Sequence, residues 1–402
     1  MKKKLVGVML STVVLSSALA GCGLSAPAST ETAPAAEAVE EAAAEAEEVV
    51  EEVAAEAEEV VEEGAAEAEE VVEEAAAAAG EYTVNEAAAA DPVVELTMAE
   101  LNPIEDTICG MTDLKFKEAV EAISGGSIKI DLQGSGVLGV EADILDGMIG
   151  GTGTVDICRI GANSLNNYGI SKGILTSLPY TFASREHFWA VMNSPIGQEL
   201  LDEPEELGIG VKGLFFGEEG TRNFFTVESK PVETPEDMKN LKIRSSADPV
   251  MSGMISNLGA TPSPVAFSEI YPSMQNGTID GAEQPVANYR SNSFQEVGPN
   301  LTLDGHTLGV IEVIMTSSAF DTKLTENQQA VILEASKIAA DYCAEVSAEK
   351  EAEVIQQLKD EGINVIEIED KTAWREACSP IVQEYLTGDL GDLYQQIVGM
   401  AE

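Results

Sequence analysis

Residues 25–91 constrain this chain more than any other stretch, because they cannot build a core. From Ser25 to Asp91 the sequence is nearly all Ala, Glu, Val, Thr, Pro and Ser, with no lysine or arginine and no aromatic residue before Tyr82. The unit AAEAEEVVEE recurs from Ala43, Ala54 and Ala65, a period of eleven with valine pairs at 49/50, 60/61 and 71/72. Alanine and glutamate favour helix, and eleven residues fit three turns, so the valines would form one slowly drifting stripe. Against this, glutamates four apart repel with no lysine to relieve them. The tract reads as a partly helical, extended acidic spacer; the other reading is a partner-binding or oligomerising helix. If fully helical, residues 41–79 would span roughly 60 Å at about 1.5 Å per residue. The core must then come from residues 92–402, enough chain for two lobes of about 150 residues each.

The first residues point to export. Lys2 to Lys4 form a positive start, Leu5 to Leu19 a short apolar run, and Leu19-Ala20-Gly21-Cys22 a lipoprotein cleavage box. Residues 1–21 are therefore expected to be a signal peptide, and Cys22 a lipidated N-terminus that anchors the protein outside the cytoplasm to the bacterial membrane. A net charge of −49 argues against a nucleic-acid partner, since phosphate binding is driven by lysine and arginine. Cys109, Cys158, Cys343 and Cys378 are far apart with no CxxC pair, so neither a zinc site nor a dense disulfide scaffold is expected. Buried thiols fit best, with a Cys343–Cys378 bridge as the alternative. The two histidines, His187 and His306, stand in no metal motif, and His187 reads as helix surface. No metal and no cofactor are expected.

From Val93 onward strands alternate with helices, which makes the class α/β. Val93–Met98 and Ser127–Leu132 read as strands around a helix over 113–123, and Val140–Ile149 as a helix before the strand Val155–Ile160. Val211–Phe216 reads as a strand that breaks at Gly217–Asn223 and resumes at Phe224. Leu241–Ile243 is a strand delivering Arg244, and Asp248-Pro249 starts a helix that Gly259 stops. Pro262-Ser263-Pro264 reads as an extended link, and Ser268 as the cap of a second helix. Val310–Met315 is another strand, a helix runs from Glu326 to Lys359, Ile363–Ile368 is a late strand, and helices close the chain.

With only six arginines, placement carries information. Arg159 ends an apolar strand, where open α/β sheets put ligand-contacting side chains; it is a candidate for a second contact, to a carboxylate or a hydroxyl, or else a strand-end arginine paired with an acid. Arg222 lies at the break between two strands, where a hinge salt bridge with Glu218, Glu219 or Glu283 is the alternative to a ligand contact, and Arg244 lies at the end of a strand. Asn163, Tyr180 and Phe182 are candidate lining residues, each equally a loop or core residue. A guanidinium binds a carboxylate through two parallel hydrogen bonds, which lysine cannot do.

Several fragments occur in a telling order: Gly136-Val137-Leu138-Gly139, Leu178-Pro179-Tyr180, Gly220-Thr221-Arg222, Leu241-Lys242-Ile243-Arg244, Leu258-Gly259-Ala260-Thr261-Pro262, Phe267-Ser268-Glu269-Ile270-Tyr271, Met274-Gln275-Asn276-Gly277 and Ile279-Asp280-Gly281-Ala282-Glu283. Together they resemble the solute-binding subunit of tripartite ATP-independent periplasmic (TRAP) transporters, the DctP family, over about residues 93–398. The resemblance implies a two-lobed periplasmic-binding-protein-like fold with crossing strands and a long connecting helix. Lobe 1 would comprise 92–219 and 309–348 and lobe 2 would comprise 220–308 and 349–402, after the spacer segment 22–91. It implies a monomer that captures a small organic acid between the lobes and delivers it to small and large TRAP membrane subunits. Arg244 would clamp the carboxylate, Arg222 would support the same anion, and Gln284 would contact it. The chain departs from the family pattern at Ser245-Ser246, where Val-Pro or Thr-Pro is usual, and at Gln284, where asparagine is usual; both departures leave the ligand open.

Three other readings have less support. A receptor feeding a membrane sensor uses the same fold. A surface scaffold or adhesin would need only the anchor and spacer. An enzyme would draw on paired acids such as Glu269 and Glu283, but no nucleophile elbow, metal motif or dinucleotide fingerprint accompanies them.

Overall fold

The computed structural model describes residues 82–246 and 248–401. The signal segment, Cys22 and the eleven-residue repeats lie outside the described residues.

Packed structure begins slightly earlier than the composition suggests. Helix α1 (Glu86–Ala89) is capped by Asn85, whose Oδ1 accepts from Ala87 N and Ala88 N, and Ala88 is fully buried. Strand β1 (Val94–Ala99) follows, then α2 (Ile108–Ile123), β2 (Ile128–Gln133), α3 (Glu141–Ile149) and β3 (Ile157–Gly161). Both β2 and β3 run parallel to β1. Period-two alternation puts Leu96, Met98, Ile128 and Ile130 on the face that meets Phe116 and Val120 of α2. Helix α2 starts five residues before its apolar periodicity, because the Thr107 side chain caps it by accepting from Gly110 N.

The chain continues through α4 (Arg185–Met192) and α5 (Pro195–Glu206) into β4 (Val211–Thr226). Strand β4 corrects the expected break at 217–223: Gly217, Glu218, Thr221 and Arg222 stay paired to β8 (Asn300–Thr316), with register shifts between. Side chains take over where the ladder lapses, since Asp304 Oδ1 accepts from Phe224 N at 3.0 Å and Asn223 Oδ1 from Gly305 N at 2.9 Å. Gly220, at φ 94°, takes the left-handed bulge position that a side chain would resist. The chain then passes β5 (Lys242–Ser245), α6 (Pro249–Asn257), β6 (Thr261–Pro264), α7 (Ile270–Gln275), β7 (Gly281–Pro285) and α8 (Val286–Ser291). The expected Pro-Ser-Pro link is thus an edge strand, where missing N–H groups do no harm. Ser268 lies inside a 3-10 turn, 267–269, and caps nothing.

After β8 come the 35-residue α9 (Glu326–Asp360), β9 (Asn364–Glu367), α10 (Thr372–Tyr385) and α11 (Gly388–Gly399). The nine strands form one sheet in the order β2-β1-β3-β8-β4-β7-β5-β6, with β9 also on β8. The antiparallel β4–β8 ribbon is its spine. Residues 311–315 of β8 carry β3, and through it β1 and β2. Near 300–303 the same ribbon carries β9 on β8, and β7 on residues 222–226 of β4. Helix α9 spans both ends: Val331, Ile332, Ala335 and Ala339 join the apolar cluster around Phe116, whereas Val354 and Leu358 join that around Phe225 and Tyr289.

All four cysteines of the described residues are free and buried, so no Cys343–Cys378 bridge forms. His187 is buried rather than on a helix surface. Its Nδ1 accepts from Ala183 N at 3.0 Å, so Nε2 carries the proton and donates to Ile397 O at 2.7 Å, tying α4 to α11.

Candidate functional site

The sheet topology brings the sequence candidates together from different strands. Arg244 leaves β5, Gln284 and Glu283 lie on β7, Arg222 lies on β4, and Arg159 sits in β3. Each of these four strands has a neighbour on both sides in the sheet. The functional side chains therefore project from a backbone held in place by its ladders.

The arginines differ in what already neutralises them. Arg159 is buried and points Nε at Glu100 Oε2, 2.6 Å away, with Nη2 on the other oxygen of the same carboxylate. Arg222 donates Nε to Glu283 Oε2 at 2.6 Å, Nη2 to Glu283 Oε1 at 2.9 Å and Nη1 to Glu219 Oε1 at 3.1 Å. Arg185 pairs with Glu218 and Glu351, and Arg290 with Glu361. Arg375 is exposed, with its guanidinium over the Tyr180 ring at 5.3 Å. Arg244 is only 5% exposed, yet it donates Nε to a backbone oxygen, Val265 O, at 2.9 Å. It is the one buried arginine among the described residues without a carboxylate partner.

Electrostatics follow from that pairing. Burial lowers the Arg244 guanidinium to about 10, with the Glu283 carboxylate partly opposing the fall and the Arg222 charge adding to it. Burial alone would raise Glu283, but Arg222 and His306 hold it down to about 2. His306 is fully buried against Phe224, ring centroids 4.6 Å apart, with Nδ1 2.7 Å from Asp304 Oδ2 and Nε2 3.6 Å from Glu283 Oε2. Those two carboxylates outweigh desolvation and raise it to about 9, so it is an imidazolium at neutral pH. Deeper in, burial and then the Glu100 charge push the Asp113 carboxyl well above the usual range.

The remaining candidates divide. Asn163 donates Nδ2 to Asp248 Oδ2 at 3.1 Å and lines a cavity with Thr176, Ser177, Arg222, Met251 and Gly309. Gln284 is 3% exposed, and its side-chain amide meets no protein hydrogen-bond partner among the described residues. Tyr180 lies away from the cavity lining, with its OH 3.4 Å from Asp304 O. Phe182 packs edge-on to Phe188 at 5.2 Å, a core contact.

Sequence reasoning missed Glu141, Thr176, Ser177 and Asp248. Glu141 opens α3 directly after the Gly136–Gly139 fragment, accepts from Ser164 Oγ, and is raised by burial, an effect that Ser164, Arg159 and Arg244 reduce. Asp248 caps α6 by accepting from Val250 N at 3.0 Å while also receiving Asn163. Its sequence signal is that of a helix start, which it is, but its second oxygen faces the site. Thr176 and Ser177 immediately precede the Leu178-Pro179-Tyr180 fragment, and that adjacency is the one local signal that could have found them.

The chain has counterparts in sequence and in fold. A solute-binding protein of Sulfitobacter sp. is 31% identical over 273 residues, 67% of this chain and 81% of that protein. The crystal structure of a TRAP periplasmic solute-binding protein from Bradyrhizobium sp., in complex with α/β-D-galacturonate, superposes with a TM-score of 0.71 at 27% identity, covering 76% of this chain and 100% of that one. A TRAP periplasmic solute-binding protein from Roseobacter denitrificans with bound L-galactonate gives a TM-score of 0.69 at 28% identity, covering 76% and 99%. The model of the DctP family, bacterial extracellular solute-binding protein, family 7, matches residues 98–388. The chain belongs to the DctP family of extracellular solute-binding proteins.

Proposed function

We propose that this protein captures a small organic acid through its carboxylate and delivers it to the membrane subunits of a TRAP-type secondary transporter. Arg244 is the observation that carries the reading. A buried guanidinium left without a carboxylate is costly unless an anion completes it, and the two terminal nitrogens of Arg244 have no protein partner among the described residues. Gln284, with its free amide, is the second contact; Arg222, held by Glu283 and close enough for its charge to act on Arg244, lines a cavity with Asn163, Thr176 and Ser177. Galacturonate and L-galactonate, bound by the two structural relatives, are acids of this kind.

The cavity beside Arg222 measures about 20 Å³, about the room one water needs. A ligand of several carbons enters only when the walls part. On this reading 92–219 with 309–348 form one lobe, and 220–308 with 349–402 the other. The lobes separate by bending β4 and β8 where their register slips. Export, with Cys22 carrying a lipid anchor, completes the proposal.

Arg244→Ala is expected to cost about 3–5 kcal/mol of binding, or two to four orders of magnitude in affinity. Isothermal calorimetry with L-galactonate and D-galacturonate measures it. Near-unchanged affinity in the variant would remove Arg244 from the site.

A further inference from the structure

Glu219 occupies an unusual position in this site. It is 4% exposed and bonded on both oxygens: Oε1 accepts from Arg222 Nη1 at 3.1 Å, and Oε2 accepts from Asn288 Nδ2 at 2.8 Å and from the Cys109 thiol at 3.3 Å. Oε2 also stands 4.0 Å from Arg159 Nη1. Gly309 leaves room for it, since a Cβ there would come within 2.7 Å of Glu219 Cγ. The carboxylate is thus fixed between Arg222 and Arg159.

Charges around the site pair off almost completely. Arg222 faces Glu283 and Glu219, Arg159 faces Glu100 and Glu219, and His306 faces Asp304 and Glu283. Arg244 alone has no carboxylate of its own. Glu141 and Asp248 add two more carboxyl groups, and Asn163, Thr176 and Ser177 add neutral hydrogen-bonding groups. One carboxylate of a ligand is matched by Arg244. A second would enter a water-poor space with no unpaired cation and with acids in front of it, whereas hydroxyl groups would find acceptors.

We infer that the site selects singly charged, hydroxyl-rich acids and rejects diacids, and that Glu219 is the specificity-determining residue, because it is a second carboxylate beside Arg222 and Arg159, already paired with Glu283 and Glu100, and its charge leaves Arg244 as the one cation for a ligand. This rests on the carboxylate-binding reading above. Glu219 acts by holding arginines; it need not touch the ligand.

Matched acid pairs test it. L-Galactonate and galactarate share an open six-carbon polyol and differ in having one or two carboxylates; D-gluconate and D-glucarate form a second such pair. Calorimetry on the full chain should show each monoacid that binds doing so at least tenfold more tightly than its diacid. Glu219→Gln, which removes the charge with little change of shape, should narrow that ratio about tenfold or more by strengthening the diacid, whatever it does to melting temperature. A purely structural role would weaken both acids alike and leave the ratio unmoved, which would overturn the role of Glu219. Wild-type protein that binds a diacid as tightly as its monoacid would overturn the inference while leaving carboxylate binding intact, and this arm needs no variant to fold. If no acid of either pair binds the wild-type chain, the inference falls together with the carboxylate reading.

Discussion

Glu312 shows how a single side chain can carry a cost unrelated to ligand. It lies on β8, is 3% exposed, and its Oε1 has no hydrogen-bond partner. Burial first, and the nearby Glu203 second, push its carboxyl up to about 8. A carboxyl raised in the folded state favours folding fully below its unfolded value near 4.5, and that contribution is lost as pH climbs toward 8. Glu312→Gln is therefore expected to leave stability unchanged at pH 4 and to raise it at pH 8, on the order of a few kcal/mol. Melting curves of both proteins across that range check this, and equal gains at both pH values would refute the ionisation argument. None of this is visible in the sequence, where Glu312 is one acid among many in an apolar strand. The clamp role proposed for Arg244 is legible there only through a family resemblance; its lack of a carboxylate partner depends on which strands lie beside β5.

At the scale of elements, the close approach of β8 to β4 and β7 depends on Gly309. A Cβ at that position would stand 2.7 Å from Glu219 Cγ, 3.0 Å from Gly220 O and 3.1 Å from Cγ of Pro285, and the backbone oxygen cannot move aside cheaply. Gly309→Ala should destabilise the fold by about 1–3 kcal/mol, the usual range for overpacking, as read from urea midpoints; an unchanged midpoint would mean that the ribbon is loose there. Local pattern served well for most elements. The helix 326–360 is legible from its composition and from the Thr325 and Gln328 capping box, and β1, β2, β3 and β5 from alternation. The glycines and acids of 217–223 mislead, since they signal a turn locally while Asp304 and Asn223 keep the strand paired from a distance. Residues 300–309 are illegible for the same reason: polar and glycine-bearing, they become strand only because β4 and β9 lie alongside.

For the whole molecule, a net charge of −49 would repel an anionic solute, but that field is screened within about 8 Å at physiological salt. On the proposed reading, capture then comes from the local arginines. Every residue assigned to the site lies between Glu100 and Gly309, inside the described residues, while the proposed anchor is at Cys22. Cys22→Ser should accordingly shift the protein from membrane to soluble fractions of its host without altering acid affinity. Retention in the membrane fraction would rule out lipidation as the attachment. No helix among the described residues is long and apolar enough to cross a membrane.

By itself the sequence determined the class of fold, most of its elements and which few arginines stand in or beside strands. Periodicity, capping residues and glycine stops are local, and they act within a few residues of where they are written. Tertiary structure alone decided which of those arginines is free. Arg159, Arg222 and Arg244 are equivalent as side chains, and each stands in a strand. Only the order β1-β3-β8-β4-β7-β5 brings Glu100, Glu219 and Glu283 to the first two and leaves the third with a backbone oxygen, and that difference singles out Arg244 as the proposed anion site.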